Sequence, residues 1–173
     1  LGINSLLIPE EYGGLGLDLL FATAVSQSLG ENIAPFSFLS CYVMAPIALI
    51  NGGNTEQKEK YLKGILGNKY KFGVGFSEFI SARNDFGFIF KDNKINGKSI
   101  FILDADDVSH LLLADENGVI GVVDTNDKNI EIIKLTTVDK TRSYSEVIFK
   151  NASIDVLENS ITDIEPTKKS IDA

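Results

Sequence analysis

The spacing of apolar residues changes once along the chain, after Lys69. Before that point apolar residues recur every four positions, as in Phe21, Val25 and Leu29, and this spacing is typical of one face of an α-helix. After it they alternate with other residues, as in Phe72-Gly73-Val74-Gly75-Phe76, and this spacing is typical of a β-strand. The change predicts an α+β fold, with a helical N-terminal domain followed by an antiparallel, β-barrel-like middle domain.

Three helices are predicted in the N-terminal part. Asp18 has the side chain of a helix N-cap, and Gly30 can end the helix that it starts. Residues 36–50 are apolar nearly all round, which predicts a helix buried on several sides. Thr55 is the predicted cap of a third helix over residues 56–65.

The remaining sequence predicts short strands joined by short polar turns, without helices between them. This order favours an antiparallel sheet over a parallel sheet with crossover helices. Asn96-Gly97 predicts a hairpin turn. Further strands are predicted over residues 100–103, 110–114, 119–124, 130–135 and 146–149. We expect a helical domain at residues 1–70, a β-domain at 71–160 and a tail with no core of its own at 161–173.

The charge balance excludes two classes of partner. The 173-residue chain has a net charge of −8 and no run of Lys and Arg. Nucleic acids and anionic membrane surfaces are bound through basic patches, so neither is expected as a partner. The longest apolar stretch, residues 36–50, is also shorter than the ~20 residues of a membrane-spanning helix.

The first residues bear on location. Leu1-Gly2-Ile3-Asn4 has no Met and lacks the basic region that opens a signal peptide. We therefore expect a cytoplasmic protein, and a chain that begins inside a longer one.

Residues with metal-binding or nucleophilic chemistry are few. The single cysteine, Cys41, lies in an apolar run, and the single histidine, His110, has no visible partner, so both are predicted to be structural. Asp104, Asp106 and Asp107 lack the spacing of a calcium loop and are predicted to form a solvated loop. No metal site is expected.

Two glycine-bearing segments are candidates for ligand binding. Gly13-Gly14-Leu15-Gly16 is not preceded by a strand, which favours a structural turn over a phosphate loop. Residues 75–85 leave a strand with alternating glycines and enter a loop that contains Arg83. Glycines on a strand permit the close approach of a flat ligand or of another backbone, and Arg can pair with a diphosphate. Local features alone leave these alternatives open.

Five segments share a pattern with one known family. They are Ile8-Pro9-Glu10-Glu11-Tyr12-Gly13-Gly14-Leu15-Gly16-Leu17-Asp18, Gly52-Gly53-Asn54-Thr55-Glu56-Gln57-Lys58-Glu59-Lys60-Tyr61-Leu62, Phe76-Ser77-Glu78, Ile95-Asn96-Gly97-Lys98 and Tyr144-Ser145-Glu146-Val147-Ile148-Phe149. Together they resemble the acyl-CoA dehydrogenase family over nearly the whole chain. The first two are specific, and the later three are looser.

The resemblance implies a function and its partners. The family binds FAD and oxidises the α,β-bond of acyl-CoA thioesters: a carboxylate base takes the α-proton and the flavin N5 takes the β-hydride. Acyl-CoA, an electron-transfer protein that accepts the electrons, and further homo- or hetero-oligomeric subunits are the implied partners. The family's C-terminal helical domain, which usually supplies the base, is expected to lie outside this chain, so no catalytic residue is assigned.

The resemblance also implies the cofactor-binding residues. Ser77 stands where the family has the Thr of Thr-Glu-Pro, which bonds the flavin, and Phe79 replaces the Pro. Phe101-Ile102-Leu103 stands where the family has Trp-Ile-Thr, so Leu103 offers a backbone N–H but no hydroxyl. Arg83 lies near the family's diphosphate-binding Gly-Ser. The implied set is Phe76, Ser77, Arg83, Phe101, Ile102 and Leu103.

Two functional hypotheses remain open from the sequence. In the first, the chain is part of an FAD-dependent acyl-CoA dehydrogenase. In the second, it is a non-catalytic subunit of the same fold that pairs with an active homologue and binds FAD poorly, which Leu103 and Phe79 favour. Because each lost donor costs about 1–3 kcal/mol, we expect this chain alone to hold little FAD and to be inactive.

Overall fold

The computed structural model describes residues 2–34, 36–81 and 87–173. The predicted α+β class is confirmed: the described residues form four α-helices and one eight-stranded sheet. The helices are α1 (Leu19–Glu31), α2 (Ala45–Gly52), α3 (Thr55–Leu66) and α4 (Glu165–Ile171). The strands are β1 (Phe72–Gly75), β2 (Gly87–Lys91), β3 (Lys94–Leu103), β4 (His110–Ala114), β5 (Ile120–Asp124), β6 (Ile130–Lys134), β7 (Tyr144–Ser153) and β8 (Asp155–Val156).

The N-cap residues show how the local sequence determines where α1 and α3 begin. Asp18 caps α1 as predicted, because its side chain accepts a hydrogen bond of 3.0 Å from the backbone N–H of Leu20. For α3 the predicted cap, Thr55, is wrong by one residue. Asn54 is the cap, and with Gln57 it forms a reciprocal capping box in which each side chain bonds the other residue's backbone N–H.

The predicted helix over residues 36–50 is present but irregular. It begins with a π-helical segment, Leu39–Met44, and continues directly into α2. Its burial is as predicted, since Cys41 and Ala45 are almost fully buried. The Cys41 Sγ lies 3.4 Å from the backbone N of Phe72 and accepts its hydrogen bond, and burial raises the pKa of the Cys41 thiol to about 11.

Helix α4 was not predicted. The hydroxyl of Thr167 donates to the carbonyl oxygen of Gly118 at 2.7 Å, and that of Ser170 donates to the carbonyl oxygen of Met44 at 2.8 Å. These polar side chains are buried, with Pro166 beside them. The expected coreless tail is therefore docked, both through hydrogen bonds to backbone, which leave no apolar pattern in the sequence, and through the packing of Ile171 against the helical core.

The sheet is mostly antiparallel, as predicted, and it is not closed. Along the described strands the order is β6-β7-β3-β1-β4-β5-β8, with β2 paired to β3. The exception is β1, which runs parallel to β4 with Phe72 opposite His110. The chain between these two strands forms the hairpin of β2 and β3 rather than a crossover helix.

The hairpin turn was predicted at the wrong place. It lies at Asp92-Asn93, where both residues have positive φ angles, 52° and 56°, as a tight hairpin turn requires. Asn96-Gly97 lies inside β3, and Gly97 faces Phe88 of β2. A Cβ atom at Gly97 would lie 2.2 Å from the carbonyl oxygen of Gly87, so glycine is needed there for close strand approach.

The two faces of the sheet bury different cores. One face packs against α2 and α3 through residues such as Phe72, Val74 and Leu112. The other face holds a second core that includes Ile102 and Leu113. Strand alternation thus places the helices on one side only, and the end of β1 meets them there.

Candidate functional site

An apolar pocket of about 230 Å³ lies where the ends of β1 and β3 meet the helices. Four of the six residues implied as cofactor-binding line it, namely Phe76, Ser77, Phe101 and Leu103. Its other lining residues are Met44, Val74, Ile80 and Ile171. The fold therefore brings together two segments, residues 76–77 and 101–103, that are 24 or more positions apart in the sequence.

The other two implied residues are Ile102 and Arg83. Ile102 is fully buried and packs in the core on the opposite face of the sheet, as the alternation along β3 requires. Arg83 lies outside the described residues.

Phe101 occupies a special position in β3. The pairing of β3 with β7 shifts register between Ser99 and Ile102, which marks a bulge, and Phe101 within it has a φ of 60°. A bulky residue at positive φ is unfavourable and is held there by its surroundings. Its ring is 46% exposed on the pocket wall. The bulge thus aims an aromatic ring at the pocket at a cost in backbone strain.

The glycines of β1 do not form a ligand cradle. A Cβ atom at Gly73 would lie 2.8 Å from the carbonyl oxygen of Leu103, and one at Gly75 would lie 2.8 Å from Cγ1 of Ile102. Of the two alternatives that the sequence left open, the structure supports the close approach of β3 to β1. The alternation of Phe and Gly therefore reflects strand packing.

Ser77 is the only lining residue with a polar side chain among those described. Its Oγ donates to the carbonyl oxygen of Ile100 at 2.7 Å and lies 3.0 Å from Oε2 of Glu78. Ser99 donates to the same Oε2 at 2.9 Å. Oε1 of Glu78 is buried and has no hydrogen-bond partner among the described residues. Burial raises the pKa of Glu78, although its contacts with Ser99, with its own backbone and with Ser77 oppose the shift.

The acidic loop after β3 differs in part from the prediction of a solvated loop. Asp104 is buried and accepts a hydrogen bond of 2.6 Å from Oγ of Ser40, which ties the end of β3 to the π-helical segment. Asp106 accepts from Lys134 and Ser143, and Asp107 is an exposed partner of Lys71. Within residues 2–34, 36–81 and 87–173, no group of three or more His, Cys, Asp or Glu side chains is placed to hold a metal ion.

The pocket fits one part of a flavin. Its apolar walls and the Phe101 ring suit the faces of a flat aromatic ring, and Ser77 offers one polar contact. None of the described lining residues carries a charge, so the described part offers nothing to a diphosphate. None of them has the carboxyl or imidazole group of a general base either.

Four lining residues, Met44, Val74, Ile80 and Ile171, had no signal in the sequence that assigned them to a site. Met44 lies in the helical region that was predicted to be core, and Ile171 lies in α4, which was not predicted. Ile80 lies in the turn after β1 and is 60% exposed. Its position inside the segment 75–85, which follows a strand with alternating glycines, is the one feature of the sequence that pointed to Ile80.

Comparisons with known proteins agree with these observations. Residues 1–69 match the family model of the acyl-CoA dehydrogenase N-terminal domain. The acyl-CoA dehydrogenase IpdE2 of Mycolicibacterium smegmatis is 40% identical over 63 residues, which are 36% of this chain and 20% of that protein.

Solved structures extend the likeness to the whole fold. An acyl-CoA dehydrogenase from Geobacillus kaustophilus has a TM-score of 0.79 at 17% identity, covering 98% of this chain and 51% of its own. Butyryl-CoA dehydrogenase from Megasphaera elsdenii has a TM-score of 0.77 at 17% identity, covering 99% of this chain and 51% of its own. The chain thus spans about half the length of these structures.

The remaining finding concerns membranes. No helix within the described residues has both the length and the apolar character needed to cross a bilayer. Residues 1–69 are thus similar in sequence to the N-terminal domain of acyl-CoA dehydrogenases, and the chain as a whole has the fold of the N-terminal and middle domains of the solved acyl-CoA dehydrogenases.

Proposed function

We propose that this chain is part of an FAD-dependent acyl-CoA dehydrogenase that oxidises the α,β-bond of an acyl-CoA thioester. The observation that supports this is the pocket: Phe76, Ser77, Phe101 and Leu103, which the family resemblance implies from the sequence alone, line one apolar cavity. In this proposal the cavity holds the flavin ring.

Each wall of the pocket has a role in this proposal. Val74, Phe76 and Leu103 exclude water from one side of the ring, and Phe101 packs against it. Ser77 supplies the polar contact that fixes the orientation of the ring. When bound, FAD supplies the acceptor of the hydride. The proposal assigns no catalytic base to this chain, because the described lining residues include no group that could take the α-proton.

The partners are part of the same proposal. They are an acyl-CoA substrate, an electron-transfer protein that reoxidises the flavin, and other subunits in a homo- or hetero-oligomer. Their binding surfaces are not assigned to particular residues.

One observation favours a second candidate function. Leu103 faces the pocket with an apolar side chain, where the family has a hydroxyl for the flavin. A chain that lost this donor would bind FAD weakly and would suit a non-catalytic subunit that pairs with an active homologue.

A titration of the chain with FAD, followed by flavin fluorescence, tests the proposed pocket. Leu103→Thr restores a hydroxyl and is expected to tighten FAD binding about fivefold, since one hydrogen bond contributes about 1 kcal/mol. The matched control is Ile133→Thr on β6, which does not line the pocket. Equal FAD affinity of Leu103→Thr and wild type would show that the side chain at position 103 does not contact the flavin.

Co-expression separates the two candidate functions. Under the enzyme proposal, the chain does not need a homologue to acquire flavin when its own protein is complete. Under the subunit proposal, it stays colourless alone and copurifies with flavin only beside an active acyl-CoA dehydrogenase. For the 173-residue chain by itself we expect no acyl-CoA-dependent reduction of an electron-accepting dye, and rapid reduction would contradict both candidates as stated.

A further inference from the structure

The carboxyl group of Glu78 has contacts that an anion cannot satisfy. Its Oε2 lies 3.0 Å from Oγ of Ser77 and 2.9 Å from Oγ of Ser99. Its Oε1 is buried without a partner among the described residues. The group lies directly beside the polar wall of the pocket, because Ser77 lines that pocket.

The number of protons decides how these contacts are made. The carbonyl oxygen of Ile100 has no proton, so the Ser77 hydroxyl must be the donor in their 2.7 Å hydrogen bond. A hydroxyl has one proton to give, and none is then left for Oε2 of Glu78. The proton of Ser99 serves its own bond to Oε2. With Glu78 ionised, the 3.0 Å contact with Ser77 would bring two lone pairs together.

A proton on Oε2 of Glu78 resolves the contact with Ser77 and lowers the cost of the partnerless oxygen. Oε2 then donates to Oγ of Ser77 and still accepts from Ser99. The partnerless Oε1 becomes a neutral carbonyl oxygen, which is less costly to bury than half of a carboxylate. Burial acts in the same direction, since it raises the pKa of Glu78.

No charged side chain in the described part of the chain opposes the protonated state of Glu78. The groups that act on the Glu78 carboxyl there are the hydroxyls of Ser77 and Ser99 and its own backbone. The ion pairs between described residues do not include it. A carboxyl group without a cationic partner keeps its proton more readily.

We propose that Glu78 carries a proton in the folded chain and thereby fixes the Ser77 hydroxyl as a hydrogen-bond acceptor towards the pocket. Glu78 is a positioning residue, since it acts through Ser77. Ser77 gives its proton to Ile100 and accepts one from Glu78, so one lone pair is left for a ligand. The pocket therefore selects a flat ring that presents an N–H group at Ser77. The identity of that ring as a flavin rests on the proposed function, whereas the proton on Glu78 does not.

Infrared difference spectroscopy reads the proton directly. At pH 7 the wild-type chain is expected to show a C=O stretching band of a protonated carboxyl that disappears in Glu78→Gln. The control is Glu116→Gln in an exposed turn, which should leave the band in place. Loss of a carboxylate band instead of an acid band in Glu78→Gln would overturn the proposal.

Stability against pH gives a second, independent readout. A Glu whose folded pKa lies above its ordinary value of 4.5 binds more protons in the folded state, so wild type loses stability as pH rises through that folded pKa. Glu78→Gln keeps an N–H donor for Ser77 and does not titrate, so it should gain on wild type as pH rises. A stability difference that is constant with pH contradicts the proposal. If Glu78→Gln does not fold, a ¹³C NMR titration of the Glu carboxyl carbons of wild type decides the same question.

The acceptor role of Ser77 is tested with two ligands. Oxidised riboflavin carries one ring N–H, and its N3-methyl derivative carries none. Wild type should bind the methylated ring about fivefold more weakly, and Ser77→Ala should bind both alike. Equal binding of both rings by wild type overturns the acceptor role. Failure to bind either overturns the proposed function, while the infrared band still decides the state of Glu78.

Discussion

Two of the places where the helices contact the sheet differ in how their polar groups are satisfied. At the junction of α3 with β8, Asp155 accepts hydrogen bonds from the Tyr61 hydroxyl at 2.6 Å, from Gln57 Nε2 at 2.7 Å and from Lys60 at 3.2 Å. At the pocket, Glu78 keeps a buried oxygen without a described partner, and Phe101 has a positive φ. The junction is a complete network, and the pocket is an incomplete one.

The difference indicates what each place contributes. A fully satisfied buried network stabilises the contact that it makes, whereas strain and partnerless polar groups persist where a ligand or a reaction uses them. We therefore expect substitutions at the junction to change mainly the stability of the fold. Substitutions at the pocket should relieve strain or change ligand binding.

The largest effect is expected at the junction. Asp155→Ala removes the acceptor for the buried Tyr61 hydroxyl and for Gln57, and should lower the free energy of unfolding by about 3 kcal/mol. Urea denaturation measures it. The control is Asp107→Ala, whose partner Lys71 is an exposed lysine, and a change below about 1 kcal/mol is expected there. Equal losses of unfolding free energy in the two variants would show that the hydrogen-bond network at the junction stabilises the fold no more than an exposed ion pair does.

The next effect tests whether the glycines of β1 serve the chain or a ligand. Gly73→Ala places a Cβ atom 2.8 Å from the carbonyl oxygen of Leu103 and should destabilise the fold by about 2 kcal/mol. Gly87→Ala is the control, since nothing lies within 4 Å of its Cβ position. If Gly73→Ala kept full stability and lost only flavin binding, the glycines of β1 would have to serve the close approach of a ligand instead of strand packing.

The strain at Phe101 predicts that a glycine variant is more stable than an alanine variant at this position, the reverse of the usual order in a strand. Because φ is 60° there, Phe101→Gly should be about 1 kcal/mol more stable than Phe101→Ala. At Ile133 on β6, which is not among the residues with positive φ, alanine should be the more stable of the two. The same order at both positions would contradict a strained pocket wall.

The smallest effect concerns His110, which lies at the start of β4 among the rings of Tyr61, Tyr70 and Phe72. Burial lowers the pKa of His110 below its ordinary value of 6.5, with Lys60 and Lys69 acting in the same direction and Asp124 against it. The folded state then binds fewer protons than the unfolded state, so stability falls as pH drops below 6.5. Relative to His110→Phe, wild type should lose up to about 1 kcal/mol between pH 7.5 and pH 5.5, and a gain on acidification would contradict this assignment.

Much of the fold could be predicted because its signals are local. The change of apolar period after Lys69 and the cap at Asp18 depend on neighbouring residues, and both are confirmed. The hairpin turn was assigned to Asn96-Gly97, although Asp92-Asn93 has a similar local preference, because only strand register distinguishes the two. Helix α4 was missed since its contacts join its hydroxyl groups to distant carbonyl oxygens.

The candidate site also contains residues that could be predicted from the sequence and residues that could not. The family resemblance implied Phe76, Ser77, Phe101 and Leu103, which converge on one pocket, and their role towards a flavin stays a prediction. Met44 and Ile171 could not be predicted, because they reach the pocket through the packing of the π-helical segment and of α4. The proposed proton on Glu78 follows only from distances among four residues in two segments, 77–78 and 99–100, that are far apart in the sequence.

The single methionine of the chain gives the most direct test of the central claim, that this pocket holds a flavin ring. Met44 lines the pocket, so a ¹³C-methyl-methionine label places one NMR resonance on its wall. Addition of FAD or riboflavin should shift that resonance through the ring current, with the same concentration dependence as the change in flavin fluorescence. A Met44 resonance that stays in place while the flavin binds elsewhere would contradict the account.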